Sequence, residues 1–322
     1  MKGEKNWKLS GIREAYGETL AELGEVYPDI VVLDADLSGS TKTSLFAKKF
    51  PDRFFNMGVA EQNMMGTAAG LAASGKTVFA STFAIFASGR AWEQVRYNIA
   101  YNHLNVKIVA SHGGITVGED GGSHQCAEDI AIMRVLPGMR VIVPMDAQEM
   151  REVIKTVVKI PGPFYIRSSR VKFPLILDQD YKFELGKGKI LREGKDITLI
   201  GCGLMVSQCL EAAEILETEG ISAQVVNLST IKPIDEELLI ECASNTRGIV
   251  TAEEHSIIGG LGSAVAEVVS EKSPTLIRRI GVEDRFGISG SASALLEYLG
   301  LKPGKIIEAA HQILDSKKIK NR

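Results

Sequence analysis

Residues 111–125 read "SHGGITVGEDGGSHQ" and crowd His112, Glu119, Asp120 and His124 into one loop that also holds five glycines. Imidazoles and carboxylates at that density could converge on one small polar ligand. Metal ligation is the competing chemistry, but the stretch lacks an HExxH pattern, and a glycine-rich spacer says little about geometry. A second candidate, Glu61, lies in "NMGVAEQNMMGTAAGLAASGKTVFASTFAIF", residues 56–86, a lone carboxylate among apolar and small residues, with Phe83 and Phe86 closing the run. An acid in the first turn of a helix gains roughly 0.3–1 kcal/mol from the dipole, which explains Glu61 without any chemistry. The alternative is a carboxyl that apolar neighbours keep protonated, so that it can donate a hydrogen bond. Both readings stay open on these residues alone.

Two arginines stand at comparable positions. Arg13 opens the first helix, and Arg170 follows "PFYIRSS", with Arg167 three residues before it. Ser38, Ser40 and Thr41 sit in "DADLSGSTKT", just beyond the first strand. Guanidinium groups bind phosphate bidentately, and hydroxyls with backbone amides at a helix start add donors. Each residue singly suits an ordinary surface; together, at strand ends, they suggest a phosphorylated substrate.

The elements that must hold these side chains follow from periodicity. Strand-like runs "DIVVLDA", "RFFNMGV", "TVFASTF", "VKIVASH", "MRVIVP" and "PFYIRSS" alternate with helical patterns such as "REAYGETLAELGEV", "EQNMMGTAAGLAASG", "SGRAWEQVRYNIAY" and "AQEMREVIKTVV". Near-continuous apolar strands between helices predict a mostly parallel sheet with helices on both faces. The polar loop then falls at the carboxyl ends of strands, where open α/β sheets bind ligands. The alternation breaks over residues 171–196, and a second α/β series follows from "ITLIGCG" to "IIEAAHQILDS". We therefore expect an α/β protein of two domains, residues 1–175 and 191–322, joined by a linker over 176–190.

Composition agrees with an ordinary chain of that class. The 322 residues suffice for two cores, and a net charge of −3 gives no electrostatic case for nucleic acid or an anionic membrane. No apolar run approaches the roughly 18 residues that span a bilayer. "MKGEKNWKLSG" shows no signal peptide and reads as a natural start, while "SKKIKNR" reads as a solvated helix end. Cys126, Cys202, Cys209 and Cys242 lack metal-type spacing and are expected to be buried free thiols in a reducing cytoplasm.

The run "RFFNMGVAEQNMMGTAAGLAASGKTVFASTFAIF", followed by "SHGGITVGEDGGSHQ", resembles the pyrimidine-binding domain of transketolase, and the second half resembles the transketolase carboxyl-terminal domain. The resemblance implies that Glu61 hydrogen-bonds N1′ of the thiamine aminopyrimidine, promoting the imino tautomer that deprotonates thiazolium C2, after which the cofactor does the carbanion chemistry. It implies a stacking pocket from Phe83 and Phe86, with Asp36 near the cofactor. His124 and Asp120 would contact the hydroxyls of the ketose donor, with His124 taking part in catalysis. Arg13, Ser40, His112 and Arg170 would hold a sugar phosphate. "ASGRAWEQVR" reads one residue longer than several relatives, so residues 87–96 carry no assignment.

Single-chain transketolases also bind the cofactor diphosphate through a divalent metal, with a GDG motif that this sequence lacks. The resemblance therefore implies a chain inactive alone, paired with a separate diphosphate-binding subunit as α2β2, with thiamine diphosphate and Mg2+ or Ca2+ held there by the partner. No metal ligands are expected on this chain. Rival readings are the β subunit of a 2-oxoacid dehydrogenase and half of a deoxyxylulose-phosphate synthase. "GEDGGSHQ" and the arginine and serine set suit a polyhydroxy sugar phosphate better than a 2-oxo acid. A non-catalytic module is a further alternative: "GGLGSAVAE", residues 259–267, could receive an anion at a helix start or simply pack closely, and His255 suits a structural or interface role.

Overall fold

The computed structural model describes residues 7–320. Residues 1–6 and 321–322, on which the reading of the chain start and part of the basic tail rests, lie outside the described residues, as do the side chains of 317–320. In chain order the strands are β1 (Leu9–Ser10), β2 (Ile30–Asp34), β3 (Phe54–Asn56), β4 (Thr77–Phe83), β5 (Val106–Ser111), β6 (Arg140–Ile142) and β7 (Phe164–Arg167). They continue with β8 (Phe173–Pro174), β9 (Lys189–Arg192), β10 (Ile197–Gly201), β11 (Ala223–Asn227), β12 (Thr230–Lys232), β13 (Gly248–Ser256) and β14 (Leu276–Val282).

Among the described residues two large sheets form, as expected for two α/β domains. The first runs β12-β6-β7-β5-β4-β2-β3 and the second β14-β13-β10-β11-β9. Pairing within the first is parallel from β6 to β3, and the second is parallel except where β9 meets β11. β2, β4, β5 and β10 are buried at every position, because helices cover both faces and leave no reason for polar alternation. On one face of the first sheet Leu20, Phe46, Phe79 and Ile154 pack together; on the other Met64, Ile108 and Ile130 do. No helix among the described residues is long and apolar enough to cross a membrane.

Two features depart from simple alternation. Over 86–100 the expected helix is a short α turn, Trp92–Gln94, between two π-helical stretches, Phe86–Arg90 and Val95–Ala100. A π turn holds more residues than an α turn, and this is the stretch that reads one residue long. The second departure is β12, which comes from the second half of the chain yet pairs antiparallel with β6 on the first sheet. Lys232 reinforces that edge by donating to the carbonyls of Arg134 (2.8 Å) and Leu136 (2.6 Å).

The two sheets therefore share one interior. Met133, Leu136 and Met139 pack with Ile231, Leu239 and Val265 in a single apolar cluster. Buried carboxylates tie the connecting segment to that interior. Asp146 caps the helix Ala147–Val157 through the amide of Glu149 (2.8 Å) and accepts from the amides of Ile176 (2.9 Å) and Leu177 (2.8 Å). Glu149 accepts from Met145 N (2.7 Å), Tyr181 (3.0 Å) and Asn227 (2.8 Å). Asp146→Ala strands three amide donors at once, two of them buried, so we expect it to lower the unfolding free energy by about 3 kcal/mol in urea titration. A loss below about 1 kcal/mol would mean that water replaces the carboxylate at those amides.

Candidate active site

The candidate residues gather at the carboxyl edge of the first sheet. Asp34 ends β2 and Asp36 follows it; Glu61 follows β3; Phe83 ends β4; His112 follows β5; Arg167 ends β7, with Arg170 just beyond. Parallel pairing aligns these strand ends, which is why motifs far apart in the chain meet there.

Glu61 begins the helix Glu61–Ala73 and is 1% exposed. A carboxylate placed only for the helix dipole has no reason to leave solvent. Its Oε2 is buried without a hydrogen-bond partner, and its neighbouring charge is Arg90, whose Nη1 lies 3.5 Å away. The same guanidinium carbon lies 5.4 Å from the Phe86 ring centroid, so acid and aromatic ring border one space. Arg90 is a neighbour that the apolar pattern around Glu61 did not announce. Its side chain is 55% exposed, which leaves it free to move away from the acid.

The two histidines complete an aromatic wall. Phe83 stacks on Phe86 (centroids 6.0 Å, planes 15° apart) and on His112 (3.7 Å, 24°). His124 meets both rings edge-on, at 6.2 Å from Phe83 and 5.5 Å from Phe86. Stacking aligns ring faces, and the edge-on contacts follow the aromatic quadrupole. His112 has left-handed backbone, φ 60°, and its Nδ1 lies 2.9 Å from Ser111 Oγ. Burial, followed by the nearby charges of Arg13, Arg170 and His124, pushes its pKa down to about 3.

Arg13 joins the anion-binding candidates through their backbone, with Nη1 donating to Ser40 O (2.8 Å) and Nη2 to Arg170 O (3.0 Å). Arg170 donates to the carbonyl of Val117 and stands 3.6 Å from both Glu119 and Asp120. Arginines and acidic loop thus form one charged mouth. Ser40 lies in the one-turn helix Ser38–Thr41, held from beneath by Asp34, which accepts from Leu37 N, Thr41 Oγ1 and Thr43 Oγ1 at 2.6, 2.6 and 2.8 Å. Asp36, also left-handed at φ 64°, instead accepts from Asn56 Nδ2 at 2.9 Å, on the β3 flank.

Several residues play parts their motifs did not reveal. Arg167, grouped by sequence with Arg170, turns inward and pairs with Asp129 (2.8 Å), donating also to Cys126 O (3.2 Å) and Glu254 O (2.8 Å). Arg167 is the last residue of the fully buried β7, whereas Arg170 lies three residues beyond the strand end and is half-exposed, a difference that sequence spacing shows only once the strand end is known. The start of "GGLGSAVAE" already holds an anion, because Glu253 accepts from the amides of Leu261 (2.7 Å) and Gly262 (2.8 Å). His255, fully buried between the domains, accepts from Ala131 N at 3.3 Å. All four cysteines are free and buried. Among the described residues no three of His, Cys, Asp and Glu stand close enough to hold a metal ion.

Comparisons with known proteins identify the two domains. The family model for the transketolase pyrimidine-binding domain matches residues 10–174, and that for the transketolase C-terminal domain matches 186–306. A chain from Methanocaldococcus jannaschii, named for a transketolase C-terminal section, is 56% identical over 301 residues, covering 91% of this chain and 94% of its own length. A 6-deoxy-6-sulfo-D-fructose transketolase subunit of Clostridium sp. is 43% identical over 317 residues, covering 98% and 97%. A solved structure described as a split gene transketolase, an inactive β4 tetramer, is 55% identical with a TM-score of 0.89, covering 94% of this chain and 98% of that one. With both domain models matched in order along it, the protein belongs to the transketolase family, as the portion that carries the pyrimidine-binding and C-terminal domains.

Proposed function

We propose that this chain is the C-terminal subunit of a split transketolase, transferring a two-carbon ketol unit from a ketose phosphate of the xylulose 5-phosphate type to an aldose phosphate of the ribose 5-phosphate type. The observation that carries the reading is Glu61, buried beside Phe86 with Oε2 free of hydrogen bonds and the half-exposed Arg90 as its ion-pair neighbour. An aminopyrimidine ring fits that place, since its nitrogen supplies the missing partner and Phe83 and Phe86 offer aromatic faces. Thiamine diphosphate, once bound, supplies the electron sink that the ketol transfer needs. Glu61 holds or moves a proton at the pyrimidine nitrogen, and the phenylalanine wall excludes water. The diphosphate and its Mg2+ or Ca2+ fall to a separate subunit in an α2β2 assembly. The inactive β4 state in the description of the 55% identical structure supports a need for such a partner.

At the mouth, Arg13 and Arg170 carry the positive charge for the substrate phosphate, with Ser40 at its rim. His112, kept neutral by burial, takes part as a hydrogen-bonding group rather than as a cation. Asp120 and His124 face the sugar hydroxyls, and Asp36 flanks the cofactor side. The relative named for a sulfonated fructose makes a sulfonate the competing terminal anion, because guanidinium groups receive either oxyanion. Four buried, unpaired cysteines favour the cytoplasm.

Capture of this chain from its native lysate, followed by assay of the eluate, tests the whole reading. Thiamine-dependent formation of sedoheptulose 7-phosphate from xylulose 5-phosphate and ribose 5-phosphate, dependent on a co-purifying chain, is the expected result. Decarboxylation of a 2-oxo acid without ketol transfer would move the protein to the dehydrogenase β subunits. In the assembled enzyme Glu61→Ala should abolish turnover while the subunits still assemble; wild-type activity would end its assignment to the cofactor. Arg170→Ala should raise KM for phosphorylated sugars about tenfold or more, and an unchanged KM would remove it from the anion site. His112 has a folded pKa of about 3, below its ordinary 6.5, so between those values only the unfolded chain takes up the proton. Stability therefore falls as pH drops below 6.5, by up to about 1.4 kcal/mol per pH unit from this group. Urea titrations at pH 7 and 5 should show a smaller acid loss in His112→Gln than in wild type; equal losses would mean His112 titrates normally.

A further inference from the structure

We propose that Glu254, on β13 of the second domain, is a positioning residue for the polar loop 113–125 of the first. The proposal rests on the reading of that loop as the sugar-binding element, and it gives the second domain a part in the same site. Glu254 is 3% exposed. Its Oε1 accepts from Ile115 N (2.8 Å), Thr116 N (2.8 Å) and Thr116 Oγ1 (2.7 Å). Three donors from two consecutive loop residues thus close on one oxygen across 138 or 139 positions of sequence.

The loop needs such an anchor. Its glycines impose no shape, and each adds conformational freedom that folding must remove. Gly114 has φ +86° and lies so close to the Glu254 carboxylate that a Cβ there would collide with it. Only glycine lets the backbone reach the anchor. The loop stem closes by a bridge between Gly114 and Cys126, and Arg167 binds Cys126 O while also holding the backbone carbonyl of Glu254. Gln125 adds a second tie to the same domain by donating to Ile288 O (2.9 Å) as well as to Ile115 O (3.0 Å).

The anchor also reaches the charged mouth. Thr116 Oγ1 lies 3.1 Å from Ser169 Oγ, next to Arg170, and Arg170 in turn grips the carbonyl of Val117. Displacing Thr116 therefore shifts Arg170 and the loop residues Asp120 and His124 relative to Phe83 and Phe86. Glu61 pairs instead with Arg90, which takes no part in these hydrogen bonds, and should be unaffected.

Hydrogen exchange of the isolated chain tests the positioning without reference to activity. In Glu254→Ala, peptides covering 113–125 should exchange at least tenfold faster, with the helix 61–73 unchanged; uniform acceleration or none would overturn the proposal. Thr116→Val leaves the carboxylate in place and removes one donor, so it should speed the same loop to a lesser degree. It guards against misfolding of the alanine variant. In the assembled enzyme Glu254→Ala should raise KM for the ketose phosphate at least tenfold, with kcat within threefold and thiamine diphosphate affinity unchanged. Glu254→Gln, which keeps an accepting oxygen, should recover KM to within threefold of wild type. Equal loss in both variants, or a fall in cofactor affinity, would make Glu254 a structural residue only. If wild type transfers no ketol unit but the loop still loosens in Glu254→Ala, the functional reading fails and the positioning stands.

Discussion

Arg167 is a guanidinium with almost no access to water, and the architecture of the site hangs on how its charge is met. Its side chain is 5% exposed and that of its partner Asp129 is fully buried. Removing two charges from water costs several kcal/mol per ion, so such a pair persists only where further hydrogen bonds complete it. Here Tyr165 donates to the same Asp129 oxygen at 2.7 Å, and Arg167 spreads its remaining donors over two carbonyls from different domains. The ion pair is therefore less a source of stability than a fixed point. The end of β7, the stem of the polar loop and β13 can take only one relative placement around it.

Other buried acids follow a common rule. Asp34, Asp146, Glu253 and Glu254 each receive backbone amides where the chain turns or a helix begins. A carboxylate so engaged has its charge satisfied by dipoles that folding has already oriented. Glu61, as deeply buried, keeps Oε2 without a hydrogen bond, as Asp129 keeps Oδ1, but its charged neighbour is the half-exposed Arg90. What sets Glu61 apart from Asp129 is that its counter-charge is half-exposed, whereas the Arg167 that meets Asp129 is buried.

The charged mouth is balanced in the opposite sense. Arg13 lends its donors to backbone carbonyls and so holds the segment at Ser40 and the one at Arg170 side by side. Arg170 is opposed by Glu119 and Asp120 at equal distances in a partly exposed setting, where ion pairs contribute little. An incoming anion can displace such weak contacts without disturbing the arginine pair beneath. Burial of His112 against Phe83 links this mouth to the aromatic wall.

Periodicity was enough to read two α/β domains, because fully buried parallel strands and amphipathic helices are written locally, one turn or one pleat at a time. The order of the motifs and the apolar company of Glu61 were legible for the same reason, and so was the clustering of candidates at strand ends. Local pattern could not show that β12 returns to the first sheet, that Arg167 points inward while Arg170 faces the mouth, or that Arg90 lies beside Glu61. Nor could it show that the "GGLG" helix start is filled by Glu253. Above all it was silent on Glu254, whose bonds to Ile115 and Thr116 span 139 and 138 residues. Contacts of that range leave no period in the sequence; they exist only once two separately patterned sheets have closed on one interior and brought a carboxylate of one to the bare amides of the other.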